Sequence, residues 1–324
     1  MSASVVLCTY NGVSFLPQLW QSLLAQTRLP EHIVVRDDAS RDGTWELLIS
    51  LRDAGVARGI DVSLARNPVN VGYAKNFERA LAGTSGEVLF LCDQDDVWHP
   101  DKLATMLAAF EQRPRLSLLH ADARLIGADG KDLRCTLFRA LEATRKEIGG
   151  IHCGRAFDVL LRRNLATGAA LAMRRSLLAD AMPFPDEWVH DEWLAIVAAA
   201  TGEVDCLETP LMDYRQHGAN QIGAQRRNLA GKWARAGEPR IAYLEWLVRR
   251  GNTLLQRLPQ LGPCVSPAHI DAVRGKLAHL GYRLGLPVAR PRRLWPVLLE
   301  ALAGRYARYS TGLRAVAYDL LGSG

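Results

Sequence analysis

The sequence predicts an α/β protein: a mostly parallel sheet flanked by helices, followed by a helical segment of different character. Three observations predict it. Short β-rich runs alternate with helical patterns through the first half, as in parallel sheets whose crossovers are helices. Polar residues gather where successive predicted strands end. The charge balance then changes sign along the chain: residues 225–324 carry 17 Lys and Arg against 5 Asp and Glu, whereas residues 1–224 carry 23 against 29. A basic segment behind an acidic body suggests two tasks in one chain. The expected division is a body over 1–224 and a basic helical segment over 225–324.

Strand one is expected over Ser4–Thr9, followed after Tyr10-Asn11-Gly12 by a helix to about Gln26. Ile33–Asp37 is strand two, then a turn over Asp38–Gly43 and a helix from Thr44. Val62–Arg66 is strand three, Asn67–Gly72 a loop and Tyr73–Ala82 a helix. Val88–Cys92 is strand four and runs straight into Asp93-Gln94-Asp95-Asp96. A helix over Pro100–Gln112 and a strand over Leu116–Asp122 follow. Gly127 to Asn164 is polar and reads as irregular, with a turn at Ala128-Asp129-Gly130. Leu165–Met173 reads as a small-residue strand, Asp191–Ala200 as a helix, Val204–Cys206 and Pro210–Asp213 as strand. Beyond Gln221 come Arg-rich helices broken at several prolines, Pro296 among them.

Composition removes several classes. With 48% hydrophobic and 23% charged residues, the 324-residue chain is neither disordered nor collagen-like. No apolar run approaches the ~18 residues needed to cross a bilayer, and Met1–Tyr10 lack the pattern of a secretory signal. Six cysteines without a CxxC pair argue against a zinc site and for free thiols in a reducing cytosol. A cytoplasmic protein is expected.

The sharpest chemical feature is Asp93-Gln94-Asp95-Asp96. Three carboxylates within four residues repel one another unless a cation or protonation compensates. Mg²⁺ or Mn²⁺ takes oxygen ligands from one or two carboxylates and from substrate phosphates. Capping of the next helix would account for one aspartate, not three. In open parallel sheets ligands bind beyond the carboxyl ends of the strands, where Thr9–Asn11, Asp37, Asp38, Asn70, Gly72 and Asp93–Asp96 would converge.

These residues carry a resemblance. Cys8-Thr9-Tyr10-Asn11-Gly12, Asp37-Asp38-Ala39-Ser40-Arg41-Asp42-Gly43-Thr44, Asn70-Val71-Gly72 and Asp93-Gln94-Asp95-Asp96-Val97-Trp98 stand in order over about residues 3–220. The set resembles family 2 glycosyltransferases, most of all the rhamnosyltransferase-like branch. The resemblance implies a GT-A fold, here with a C-terminal helical extension, and inverting transfer from a nucleotide-diphosphate sugar. It implies donor contacts from Thr9, Tyr10, Asn11, Asp38, Asn70, Gly72 and Asp93. It also implies a metal held by Asp93 and Asp95, and Asp191 of His190-Asp191-Glu192-Trp193 as catalytic base. Many relatives have an aromatic residue where this chain has Glu192, so either carboxylate could face the pocket. His217 matches a histidine that reaches the metal or diphosphate, with Arg215 nearby as a donor contact. Thr167-Gly168 matches a small-residue loop beside the sugar. Trp98 and Glu192 join Thr167 and Gly168 as acceptor candidates, the indole for its habit of packing on sugar faces.

The implied donor is a dTDP- or UDP-sugar and the acceptor a free or lipid-linked glycan; nucleic acid is not an expected partner. Arginines and aromatics interleaved from Arg290 to Tyr318 suit an anionic inner leaflet, or a homodimer interface. Two rivals stand beside this reading. A haloacid-dehalogenase-type phosphatase would use Asp93 as nucleophile, but its motif belongs on the first strand. A non-catalytic scaffold would have no use for both Asp191 and the Asp93/Asp95 pair. A dehydrogenase would need GxGxxG after strand one, which is missing.

Overall fold

The computed structural model describes residues 1–218 and 240–322. The chain divides into two compact units. Among the described residues, the first comprises 1–154, 165–184 and 189–218; the second comprises 155–164, 185–188 and 240–322.

The first unit is built on one nine-stranded sheet. Its parallel part holds β1 (Ala3–Thr9), β2 (His32–Asp37), β3 (Asp61–Arg66) and β4 (Val88–Asp93) in the spatial order β3-β2-β1-β4. All seven residues of β1 are buried, as expected of a strand covered on both faces. The outermost of the four, β3, alternates exposed and buried residues at its start. Helix α1 (Leu16–Leu24) buries Leu16, Leu19, Trp20 and Leu23, the 3.6-residue spacing of one face. It is followed by α2 (Thr44–Val56) and α3 (Tyr73–Leu81) as the other crossovers.

The chain winds outward from β1 through β2 to β3, then returns to place β4 on the opposite side of β1. That reversal is a topological switch point, where a crevice opens beyond the strand ends. Register sets its rim: Thr9 lies opposite Asp37, and Cys8 opposite Asp93.

Beyond β4 the sheet becomes mixed. Short β5 (Val97–Trp98) is followed by α4 (Lys102–Gln112), β6 (Leu116–Gly127) and β7 (Asp132–Thr136), the last two joined by a tight turn through Gly130 at φ 79°. Then come α5 (Leu137–Ala140), α6 (Arg145–His152), α7 (Ala156–Arg162), a 3₁₀ turn (Gly168–Ala170) and β8 (Leu171–Arg174). The first unit finishes with α8 (Leu177–Ala181), α9 (His190–Thr201) and β9 (Glu203–Gln216).

Two expectations are corrected by this order. Gly127–Asn164 is ordered as a hairpin strand and three helices: Thr136 and Thr144 cap two of them, the second in a full capping box with Glu147. The strand expected from Leu165 begins only at Leu171, because Gly168–Ala170 coil into the 3₁₀ turn first. The strand pieces Val204–Cys206 and Pro210–Asp213 belong to one long β9, with register shifts against β6 that absorb Pro210.

The second unit's described helices are α7, α10 (Arg240–Arg257), α11 (Pro267–Leu284), α12 (Arg290–Leu302), α13 (Arg305–Tyr309) and α14 (Leu313–Leu321). Within it, Phe157 stacks on His269 at 4.0 Å, and the Arg250 guanidinium lies 4.0 Å from the Trp188 ring and 4.5 Å from Trp246. Pro296 does not break a helix; it lies inside α12. No described helix is long and apolar enough to cross a membrane.

Candidate active site

The loop after β1 is shaped by the segment after β2. Asn11 takes a left-handed conformation at φ 49°, and its side-chain oxygen accepts from Arg41 N at 2.9 Å. The backbone N–H groups of Asn11, Gly12 and Val13 donate to Ser40 Oγ, Thr44 Oγ1 and Asp42 Oδ2 at 2.9, 2.8 and 3.2 Å. The polar residues of the Asp37–Thr44 block thus hold the Tyr10–Val13 loop in place. Gln94 clamps the same loop from β4, its amide accepting from Tyr10 N at 2.8 Å and donating to Tyr10 O at 2.9 Å. A Cβ on Gly12 would fall 2.1 Å from Gln94 Oε1, so only glycine admits this clamp. The Tyr10 ring remains exposed at the rim.

Thr9, Asp38, Asn70 and Gly72 come together around the ends of β1, β2 and β3. The Thr9 hydroxyl donates to Asp37 at 3.0 Å. Asp38 is buried and accepts from Asn67 Nδ2 at 2.7 Å and from the N–H groups of Val71 and Gly72 at 2.9 Å each. Asn70 Oδ1 accepts from Gly72 N at 3.1 Å, and Gly72, at φ 82°, turns the chain into α3. Asp38 therefore organises the third loop whatever else it does.

At the end of β4, Asp95 Oδ2 lies 2.7 Å from His217 Nε2, and Phe15 stacks on the His217 ring at 4.8 Å. Burial and then the neighbouring carboxylates of Asp95 and Asp191 push Asp93 up to about 7, against the opposing pull of Lys102. Asp93, Asp95 and Asp191, separated by up to 98 positions in sequence, are therefore close enough to repel. Asp96 is buried and also raised, first by burial and then by Asp95 and Asp93; one oxygen accepts from Arg215 N at 2.9 Å and the other has no partner among the described residues.

The counter-charge to this cluster is Lys102, which motif reading missed. Its ammonium is buried, donates to Ala169 O at 2.8 Å and sits 3.7 Å from the centre of the Trp98 ring. Burial lowers it to about 8. A lysine placed after a proline at a helix start gives no signal in the sequence that it will be buried.

A donor set of carboxylate oxygens and one imidazole, with no thiolate, fits a hard divalent cation. The group does not close into a tight cage. Among the described residues, the set of three donor types with all atoms within 4.8 Å of one another is His152, Asp205 and Cys206, where Arg113 already pairs with Asp205 at 2.5 Å. An open arrangement at Asp93, Asp95 and His217 suits a cation whose remaining ligands are diphosphate oxygens.

Across the crevice, Asp191 stands in the first turn of α9, where the helix dipole favours negative charge. Its two oxygens accept from Gly168 N at 2.9 Å and Glu192 N at 2.7 Å. A Cβ on Gly168 would come within 3.0 Å of His190 Nε2 and 3.4 Å of Asp191 Cβ, so glycine permits this close approach. Thr167 and Glu192 flank the same turn and are partly exposed. His190, also missed, is buried against Phe77 at 4.3 Å, with burial lowering it to about 3 and neither ring nitrogen partnered among the described residues. It is a neutral platform beneath Asp191.

Two expected contacts have other work. Trp98 is buried, turned inward by the pairing of β5 with β9 and covered by Lys102, so it offers no face to an acceptor. The Arg215 guanidinium is buried and donates to the carbonyls of Asp95, Gly127 and Ala128 and to Gln18 Oε1, at 2.6 to 3.3 Å. It props the acidic loop instead of presenting a free fork to a diphosphate.

The carboxylates thus gather at the switch point of the sheet, beyond the carboxyl ends of its parallel strands. Residues 4–163 match the family described as Glycosyl transferase family 2. An uncharacterized glycosyltransferase of Nostoc is 27% identical over 226 residues, covering 68% of this chain and 66% of that protein. The abequosyltransferase RfbV of Salmonella typhimurium is 25% identical over 196 residues, covering 58% of this chain and 57% of its own. The chain thus spans just under two thirds of the first of these relatives. Among solved structures, S. aureus TarS 1–349 in complex with UDP-GlcNAc is similar at a TM-score of 0.58 and 17% identity, over 99% of this chain and 88% of that one. The mannosyltransferase PcManGT of Pyrobaculum calidifontis, in complex with GDP-Man and Mn²⁺, gives 0.52 at 19%, over 93% and 75%. The fold is that of the GT-A glycosyltransferases, and just under half of the chain, its N-terminal part, matches the family 2 model.

Proposed function

We propose that this protein is an inverting glycosyltransferase, moving a sugar from a pyrimidine nucleotide-diphosphate donor to a hydroxyl of a growing cell-surface glycan. One observation carries the reading: Asp93, Asp95 and His217 gather at the switch point, with the Asp191 carboxylate near enough to Asp93 to raise it. The nucleotide-sugar complexes of TarS and PcManGT, and the Mn²⁺ of the latter, support the same chemistry. The donor follows the sequence resemblance: dTDP-L-rhamnose first, UDP-hexoses next.

Asp95 and His217, with Asp93, would hold Mg²⁺ or Mn²⁺. Bound there, the cation supplies Lewis-acid neutralisation of the departing diphosphate, worth several kcal/mol in the transition state. Tyr10 and the loop held by Gln94 frame the nucleotide. Asp191 takes the proton of the acceptor hydroxyl as that oxygen attacks the anomeric carbon opposite the diphosphate. The backbone N–H groups of Gly168 and Glu192, donating to its two oxygens, fix the carboxylate's orientation for this. Glu192, next along the same turn and partly exposed, is the acceptor contact of this reading.

The phosphatase alternative is not favoured: Asp93 ends the fourth strand, behind three β/α units, whereas that motif belongs on the first strand. Donor screening by thermal shift with Mn²⁺ tests the reading first, since a ligand at 100 times its Kd adds about 2.7 kcal/mol. Asp191→Asn should then lower turnover by about 10²–10⁴ while that donor shift persists. Unchanged turnover would move the base to Glu192; no shift with any nucleotide-sugar, and no diphosphate release, would overturn the transferase.

A further inference from the structure

Helix α12 of the second unit is built inside out. Its buried positions are Arg293, Val297 and Glu300, while Leu294, Trp295, Leu298, Leu299 and Leu302 point outward. At 100° per residue those five cover roughly 140° of the circumference as one continuous stripe. A helix on the surface of a soluble domain does the reverse, turning its apolar stripe inward. Trp295 is 66% exposed and Leu302 76%, and Val288 and Leu313, on the segments before and after, are 79% and 85% exposed. Single exposed leucines are ordinary; seven large apolar side chains in 26 residues are not.

The inward polar residues are fully used. Arg293 donates to the carbonyls of Pro287, Val288, Asp319 and Gly322, and Glu300 accepts from His279 at 2.8 Å and Arg305 at 2.9 Å. The inversion is therefore stably built. Residues 285–322 contain just two carboxylates, Glu300 and Asp319, and both are buried, at 3% and 0% exposure. The exposed charges of this stretch are all cationic: Arg290, Arg292, Arg305, Arg308 and Arg314.

We propose that the outward face of α12, with its arginine rim, docks on the surface of an anionic lipid bilayer. Leucines and a tryptophan entering the headgroup boundary with arginines beside them is the composition of an interfacial helix. The charge decides between occupants. A second copy meeting this face by two-fold symmetry would set arginines against arginines with no exposed carboxylate to relieve them. The chain's own segment 219–239 carries Arg226, Arg227, Lys232 and Arg235 against Glu238 alone, so it offers no charge complement either. An anionic leaflet satisfies both halves of the face, each nearby arginine adding about fivefold to partitioning, or about 1 kcal/mol.

Flotation of the full chain with vesicles tests this without any sugar transfer, so its failure leaves the transferase reading standing. The chain should float with phosphatidylcholine vesicles containing one third phosphatidylglycerol and not with phosphatidylcholine alone, and added salt should weaken binding. Trp295→Ser with Leu298→Ser should cut binding at least tenfold at an unchanged melting temperature, since a buried leucine is worth roughly that factor. Arg290→Gln with Arg292→Gln, which leaves the helix core untouched, should weaken it about 25-fold at about fivefold per arginine. Absence of flotation, equal binding to neutral vesicles, or a dimer in light scattering that Trp295→Ser dissolves would each overturn the proposal.

Discussion

Both units bury charge, and they do so in opposite ways. In the second, Asp319 receives Arg283 through two bonds of 2.7 and 3.1 Å and the Tyr306 hydroxyl at 2.6 Å, with Arg240 at 3.6 Å. His279 bridges Glu300 and Ser310 at 2.8 and 3.0 Å. Anions there meet cations. In the first unit Asp93, Asp95 and Asp96 crowd together, opposed by the buried Lys102 ammonium, and one Asp96 oxygen is left unpartnered among the described residues. A network of opposite charges, here with only Arg240 Nε left unpartnered among the network's described atoms, specifies a fold; like charges crowded at a crevice mark where a ligand's charge is expected. The arginine-rich segment is likewise a structural core on its inside, whatever its surface offers.

The largest expected effect lies in the network of opposite charges. Asp319→Ala leaves Arg283 and Arg240 buried without their carboxylate, and breaking a buried pair from one side costs about 3–5 kcal/mol. Urea denaturation of the full chain should show the transition of the helical unit shifted by that amount or lost. A change under about 1 kcal/mol, the worth of an exposed pair, would mean that the two clusters do not differ as described.

His120 sharpens the comparison, because it is an unsatisfied group away from the crevice. It is fully buried on β6, neither ring nitrogen has a partner among the described residues, and burial lowers it to about 4. Above its ordinary value of 6.5 it is neutral folded or unfolded. Between 6.5 and about 4 the unfolded chain takes a proton that the folded one refuses, so stability falls as pH falls and the loss levels off below about pH 4. Over roughly 2.5 pH units this amounts to about 3 kcal/mol. His120→Leu should remove that part of the acid sensitivity in melting curves at about pH 7 and about pH 5, leaving donor binding intact. If it instead abolishes donor binding, a missing partner marks function even here.

What the sequence made legible follows the same divide. Elements set by local pattern were readable: the first four strands, the Asp93–Asp96 turn after β4 and the helix carrying Asp191 stand where their patterns put them. Roles set by partners far along the chain were not. Gln94 reads as a spacer between aspartates until Tyr10, 84 positions away, closes on its amide. Arg215 resembles a diphosphate ligand until the carbonyls of Gly127 and Ala128 take its guanidinium. Trp98 looks like a sugar platform because nothing local says that β9 will pair with it and turn the ring inward. The polar stretch after Gly127 hid its helices because their apolar positions are spread over short elements, too few per turn to make a period.

The smallest effect is the most direct test of the unsatisfied cluster. Asp93 sits between Asp95 and Asp191, and with no cation bound its charge works against the fold. Asp93→Asn keeps the shape and removes that repulsion, so the variant should be more stable than the natural protein by about 1 kcal/mol in a chelator, while losing activity, as residues kept for function at a cost in stability do. Titrating Mn²⁺ should then invert the order: the natural protein gains stability with the ion, the variant little or none, and the two melting curves cross. Parallel curves would mean that Asp93 does not belong to a cation site, and that the acidic cluster is held for some reason other than the charge it is missing.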